Sequence, residues 1–228
     1  LPKLRRMITV HHLNNSRSQR VLWLLEELGL PYEVKRYERD AKTSLAPPEL
    51  KAVHPLGKSP VITDGGLTVA ESGAIIEYLV DKYGNGRLKP TSEQELLHYR
   101  YFMHFAEGSA MPPLVMKLVF NKIKRTPMPF FVKPIARGIA DKVLSSFVQP
   151  NIDAQLKFLE GELSRRPWFA GAEFSAADVQ MSFPVEAAAA RGGSMDGYPK
   201  LREFLDRIHA RPAYQRALER GGKYDLLS

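Results

Sequence analysis

The chain has 228 residues, 44% hydrophobic and 10% aromatic, which is ordinary for a soluble globular protein and enough for one large domain or two small ones. It contains no cysteine, which excludes disulfides, thiolate metal sites and any Cys-x-x-Cys redox centre, so any thiol chemistry must use a sulfur that arrives with a ligand. The formal net charge is +8, and no apolar run approaches the ~18 residues that would suggest a membrane span. No apolar signal-peptide core follows the basic start Lys3, Arg5, Arg6, and the lack of cysteine fits a reducing compartment, so a cytoplasmic setting is expected.

Ile8 to Leu13 reads as a short strand, followed by the polar loop Asn14-Asn15-Ser16-Arg17-Ser18, rich in helix-capping residue types. Val21, Leu22, Leu24, Leu25 and Leu28 recur at helical spacing, and Gly29 with Pro31 beyond it predicts the stop. Tyr32 to Glu38 predicts a second strand, and Pro48-Glu49-Leu50-Lys51 a short helix with proline in its first turn. Val61-Ile62-Thr63 and Leu67-Thr68-Val69 flank an Asp64-Gly65-Gly66 turn, a hairpin signal. Pro60 stands at the mouth of that hairpin, where it has no N–H to donate to a ladder. Glu71-Ser72 follows directly, and Ile75, Ile76, Leu79, Val80 and Tyr83 predict an amphipathic helix beginning near Ser72.

Residues 83–90 are dense in turn formers, and beyond them the period-2 signal disappears. Ser92 predicts the cap of a helix carrying Leu96, Leu97, Tyr101, Phe102 and Phe105 and running past Gly108 to Met111. Ile135 to Leu163 holds a second long helical pattern, with a break or bend expected near Pro150. Ser175-Ala-Ala-Asp178 has the form of a capping box opening a third helix, and residues 199–211 and 213–220 predict two more. The architecture expected is a small α/β domain followed by an all-helical one.

Between Lys117 and Lys142 seven basic residues (Lys117, Lys122, Lys124, Arg125, Lys133, Arg137, Lys142) stand against one acid, Asp141. Two readings are open, a patch for nucleic acid or an anionic membrane and a solvated helix face. Prolines at 127, 129 and 134 break the stretch and no nucleic-acid motif accompanies it, so the solvated face is expected and nucleic acid is not expected as a partner. The six histidines show no metal-ligand spacing, and no metal is expected.

Taken in order, Leu56-Gly57-Lys58-Ser59-Pro60-Val61, the hairpin ending in Glu71-Ser72, and Phe174-Ser175-Ala176-Ala177-Asp178 resemble the glutathione transferases. The string HHLNNSRSQRVLWLLEELGL is most similar to a fungal and bacterial, theta- or beta-like subgroup. The resemblance implies a thioredoxin-like N-terminal domain over 7–84, a linker over 85–91, an all-α domain over 92–222, a homodimer, and glutathione as co-substrate with no other cofactor.

It further implies a cis Ser59–Pro60 bond that turns the backbone of Ser59 toward the cysteinyl part of glutathione. Ser72 would hold the γ-glutamyl carboxylate at a helix N-terminus, where unpaired N–H groups favour an anion. Glu71 would meet the α-ammonium group and Lys58 the glycyl end, a solvated lysine being the competing view of Lys58. The further basic residue common in the family is missing at Leu45-Ala46, leaving Arg39 or Lys42 as substitutes.

A free thiol titrates near ~8.5, so little of it is thiolate at neutral pH; lowering that by about two units takes roughly 2.7 kcal/mol of preferential thiolate stabilisation. Many relatives supply a Ser or Tyr hydroxyl in the loop after the first strand. Here Asn15 occupies the usual serine position and Ser16 follows it. Ser16 is the first candidate donor, the Asn15 amide its rival, and Arg17 a source of positive potential; simple helix capping by these residues is the alternative. Tyr101, Phe105, Met111 and also Met116 are candidates for an electrophile pocket, with core packing as the other reading. The expected activity is conjugation of glutathione to small hydrophobic electrophiles, or their reduction by it. The alternative is a glutathione- or hydrophobe-binding protein without chemistry, which Asn15 at the serine position favours.

Overall fold

The computed structural model describes residues 7–43 and 45–227; Lys3, Arg5 and Arg6 lie outside them. Strand β1 (Ile8–Leu13) is central and almost wholly buried, because elements cover both of its faces. It pairs in parallel with β2 (Tyr32–Tyr37), as its Ile8–Tyr32 to Leu13–Tyr37 register shows. The connection is α1 (Ser18–Leu28), whose end is fixed by Gly29 in the left-handed conformation at φ 67°. The hairpin β3 (Val61–Asp64) and β4 (Leu67–Ala70) adds antiparallel to the other edge, giving the order β2-β1-β3-β4.

Helix α3 (Ser72–Tyr83) returns beside α1, and Val21, Leu22, Leu25, Ile75, Ile76 and Leu79 join Val10 and Ile62 in the main core. The short α2 (Glu49–Val53) belongs to a smaller cluster of Leu50, Leu13 and Tyr37. This is the thioredoxin-like arrangement expected.

The second half is helical throughout. Ser92 caps α4 (Glu93–Phe105) by accepting from the Glu95 N–H at 3.4 Å. The helical path does not stop at Met111: a π-turn over Ala106–Ala110 leads straight into α5 (Met111–Arg125). Pro112 and Pro113 look like terminators in the sequence, but proline is tolerated in the first turn of a new helical segment, where its missing donor is not needed. Helix α6 (Lys133–Val143) likewise passes through a π-turn (Leu144–Val148) into α7 (Gln149–Arg165), so the bend expected near Pro150 lies just ahead of it. Helix α8 (Ala176–Arg191) is buried over most of its length and packs against α1, α3, α4, α5 and α9 (Pro199–His209). Its capping box is complete: the Asp178 carboxylate accepts from the Ser175 N–H at 2.8 Å and also from the Phe169 N–H at 2.9 Å. Helix α10 (Pro212–Gly221) lies along α1, and a last turn over Asp225–Leu227 ends the described chain.

Candidate functional site

A cleft of about 220 Å³ opens where the hairpin and the start of α3 face the first π-turn. Six of its lining residues are ones the sequence singles out: Arg17, Lys58, Ser59, Pro60, Glu71 and Ser72; His54, Leu56, Ala70 and Glu107 complete it. The Ser59–Pro60 bond is cis. The Ser59 hydroxyl donates to the His11 carbonyl at 2.9 Å and accepts from the Leu13 N–H at 3.4 Å, which fixes the side chain to β1.

Ser16 lies just behind this wall, its Oγ 3.5 Å from Ser59 Oγ. It is buried and enclosed by the start of α1: the Ser18 N–H donates to its Oγ at 3.2 Å, and Ser18 Oγ is 2.6 Å away. Ser18 Oγ in turn lies 2.8 Å from Nδ1 of His12. Burial pushes the His12 ring down to about 4; the Gly221 carbonyl works against that and the charge of Arg36 adds to it, so the ring is neutral at physiological pH. The result is a buried string of polar atoms from His12 through Ser18 and Ser16 to the edge of the cleft.

Asn15 is differently placed. Its amide N–H donates to the Asp225 carboxylate at 2.7 Å and its carbonyl accepts from the Asp225 N–H, also at 2.7 Å. With φ of 50° it sits in the left-handed region that asparagine tolerates better than most side chains. Both ends of its side chain therefore face the C-terminal turn.

Glu71 has φ 69°, a strained value for a non-glycine residue, at the point where β4 hands over to α3. Ser72 beside it is buried, and its Oγ accepts from Nη2 of Arg20 at 2.8 Å. That contact uses one of the hydroxyl's two lone pairs and leaves its proton for an acceptor in the cleft. Arg20 is almost fully buried; it also donates to the Gln180 carbonyl at 2.7 Å and to Glu107 at 2.5 Å. Arg17 donates to both Glu107 oxygens, at 2.9 and 3.1 Å. Burial opposes ionisation of Glu107, but the charges of Arg20 and Arg17 outweigh it and hold the carboxyl below its ordinary range.

Comparisons with known proteins identify the family. The model of the glutathione S-transferase N-terminal domain matches residues 6–81, and that of the C-terminal domain matches residues 124–212. Glutathione S-transferase 3 of Schizosaccharomyces pombe is 41% identical over 94% of this chain and 88% of its own length. Glutathione S-transferase 1 of Saccharomyces cerevisiae is 34% identical, covering 94% and 95%. The chain belongs to the glutathione S-transferase family. Among solved structures, a glutathione S-transferase from Actinobacillus pleuropneumoniae superposes with a TM-score of 0.79 at 32% identity, over 97% of this chain and 96% of that one. A glutathione transferase family member from Pseudomonas fluorescens, solved with two glutathione bound, gives 0.75 at 27% identity over 95% and 94%.

The transferase fold does not bring the expected electrophile-pocket residues to the cleft lining. Tyr99, Phe102 and Met103 take the buried face of α4, which packs on α8, so Tyr101 and Phe105 point elsewhere. Both join an aromatic cluster with Phe158 of α7, at ring-centroid separations of 6.0 and 5.6 Å, and Tyr101 is half exposed. Met111 is buried in the core and Met116 packs partly buried against it. The apolar part of the cleft lining is Leu56, Pro60 and Ala70. Arg39 donates to Asn14 through its backbone N–H at 3.0 Å and its guanidinium at 3.3 Å, and it does not line the cleft. Among the described residues no group of three or more His, Asp or Glu side chains is placed to hold a metal ion.

The ion pair of Arg20, behind the cleft wall, with Glu107, in its lining, was not among the sequence candidates. Arg20 carried a signal: it stands four residues before Leu24, on the apolar face of its helix, where a cation needs a buried partner. Glu107 carried a weaker one, an acid beside Gly108 inside an apolar helical run.

Proposed function

We propose that this chain binds reduced glutathione in the Ser59–Ser72 cleft and uses its thiolate on small hydrophobic electrophiles. In conjugation the sulfur forms a bond to an electrophilic carbon, the leaving group departs with the bonding pair, and the thiol proton passes to solvent. In peroxide reduction the sulfur attacks a peroxide oxygen and releases an alcohol, and a second glutathione then gives the disulfide and water. The observation that carries the reading is the meeting of Glu71, Ser72 and Ser59 in one cleft with Ser16 directly behind it.

In this reading Ser72 and the N-terminus of α3 take the γ-glutamyl carboxylate and Glu71 the ammonium, with Arg20 adding positive potential behind the serine. Lys58 and Arg17 supply positive charge at the rim. Ser16 is the thiolate donor, favoured over Asn15 because the Asn15 amide is already engaged with Asp225. A homodimer belongs to the same reading, supported by Leu97 and Tyr101, large apolar side chains left exposed on α4. So does a reducing cytoplasmic setting, since the co-substrate is useful only as a thiol.

The test is the ultraviolet titration of the thiol of bound glutathione, with turnover of a chloronitroarene and of an organic hydroperoxide measured beside it. A lowering of about two units, roughly 2.7 kcal/mol, is expected. Tight binding with an unshifted thiol and no turnover would reduce the function to ligand binding; failure to bind glutathione at all overturns the reading.

A further inference from the structure

The basic stretch from Lys117 to Lys142 takes no part in the cleft. It forms the far end of the helical hairpin made by α5 and α6, with residues 126–132 as its tip. Of α6 only Ala140 is buried, and the helix packs chiefly on α5 and on the π-turn that follows it. Large apolar side chains are left in solvent: Phe130 is 86% exposed, Phe131 64%, Ile135 65% and Ile139 59%. The last three follow one another at four-residue spacing, and the two phenylalanine rings meet edge to face at the tip. Leu118 and Val119 are exposed on α5 as well.

Most of the charges around this apolar surface are also unspent. Lys124 pairs with Asp141, and Lys117 donates to Gln149 and the Gly192 carbonyl. Among the described residues, Lys122, Arg125, Lys133, Arg137 and Lys142 have no carboxylate within ion-pair distance. A contiguous exposed apolar surface marks a docking site, and the charge says for what. A second copy of the hairpin placed across a two-fold axis would set five unpaired cations against five. A nucleic acid would satisfy the cations but has nothing to offer Ile135, Ile139 and Leu118, which can neither stack nor hydrogen-bond. An anionic lipid surface takes both features, with cations at the headgroups and apolar side chains entering the boundary below them.

We propose that the α5–α6 hairpin docks this protein on anionic lipid surfaces, with Phe130 and Phe131 entering the headgroup layer. The contact is peripheral: among the described residues no helix is long and apolar enough to cross a membrane. The inference is independent of the chemistry assigned to the cleft.

Flotation of the full chain with vesicles of phosphatidylcholine, alone or mixed with phosphatidylserine, tests it. Flotation is expected only with phosphatidylserine and is lost in high salt. The F130S/F131S variant should partition at least about tenfold more weakly, with unchanged circular dichroism and glutathione binding. K133E/R137E should weaken it separately by removing charge, which keeps the test decisive if the first variant folds poorly. Absence of flotation, equal flotation on neutral vesicles, or a double variant that floats like the parent overturns the proposal. So does conversion of F130S/F131S to a monomer in light scattering, which assigns the surface to a second copy, or salt-sensitive capture of duplex DNA or RNA without flotation.

Discussion

Ser16 and Asn15 stand one residue apart, yet their neighbours give them separate work. Ser16 Oγ accepts from the Ser18 N–H, shares a 2.6 Å contact with Ser18 Oγ and lies 3.5 Å from Ser59, at the edge of the cleft. Replacing it should remove a hydrogen bond made only to the thiolate. Ser16→Ala is expected to raise the bound thiol by about one to two units, about 1.4–2.7 kcal/mol, and to slow turnover at neutral pH accordingly, with glutathione affinity little changed. Asn15→Ala should leave the bound thiol where it is and lower folding stability by about 1 kcal/mol or more, since two hydrogen bonds and a left-handed backbone position are compromised. Thiol titration and urea unfolding of both variants separate the roles; an Asn15→Ala enzyme with a raised thiol would exchange them. Glu71→Ala should raise KM for glutathione about tenfold while leaving kcat at saturation nearly unchanged, because the ammonium group proposed as its partner takes no part in the reaction. The sequence offers these two neighbours as candidate donors and does not separate them. What commits Asn15 is Asp225, 210 positions downstream, and no local pattern reports a contact of that range.

Elements whose signal is local were legible in the same sequence. The Gly29 stop, the Asp64-Gly65-Gly66 hairpin and the Ser175/Asp178 box each rest on a few adjacent residues and recur in the structure. The π-turns over Ala106–Ala110 and Leu144–Val148 were not legible, since an extra residue in a turn is imposed by packing on both sides rather than by propensity. Glu107 lies in the first of them, which is why a carboxylate with no apparent role in the sequence faces the cleft. The capping box permits a sharp test at this scale. Burial pushes the Asp178 carboxyl up to about 6, even though the N–H groups of Phe169 and Ser175 and the Ser175 hydroxyl work the other way. A carboxyl raised above its unfolded value stabilises most when pH is below that unfolded value near ~3.9, and its contribution is lost as pH rises through about 6. The stability deficit of Asp178→Ala relative to the parent should therefore shrink by about 2–3 kcal/mol between pH 4 and 7.5. Paired urea titrations measure it, and a deficit that stays constant or widens would remove burial as the controlling influence on this group.

Across the whole molecule the two halves are joined by charge as well as by apolar packing. Arg20 of α1 reaches Glu107 and the Gln180 carbonyl in the helical half, while Glu27 and Glu26 on the same helix pair with Arg211 and Arg216. Burial opposes ionisation of Glu26 and Glu107, but their arginine partners prevail and hold both carboxyls below the ordinary range. Groups depressed in this way stabilise the fold above their unfolded values and lose that contribution as pH falls through the lower folded ones. The carboxylates therefore fail only in strong acid, below roughly pH 4.3. His12 fails earlier. Its ring, buried under Ser18 and the end of α10, is pushed down to about 4, so its contribution is complete above ~6.5 and drains away as pH falls from there to about 4. Over that window the shift corresponds to about 3 kcal/mol. His12→Asn keeps an acceptor near the Nδ1 position for Ser18 but cannot be protonated. Its unfolding free energy should be nearly flat between pH 6.5 and 4.5 while the parent's falls. A small residual slope belongs to His11, which burial and the charge of Lys35 also lower. If parent and variant lose stability in parallel across that range, the acid sensitivity arises elsewhere in the molecule and the buried string from His12 to the cleft is not what titrates.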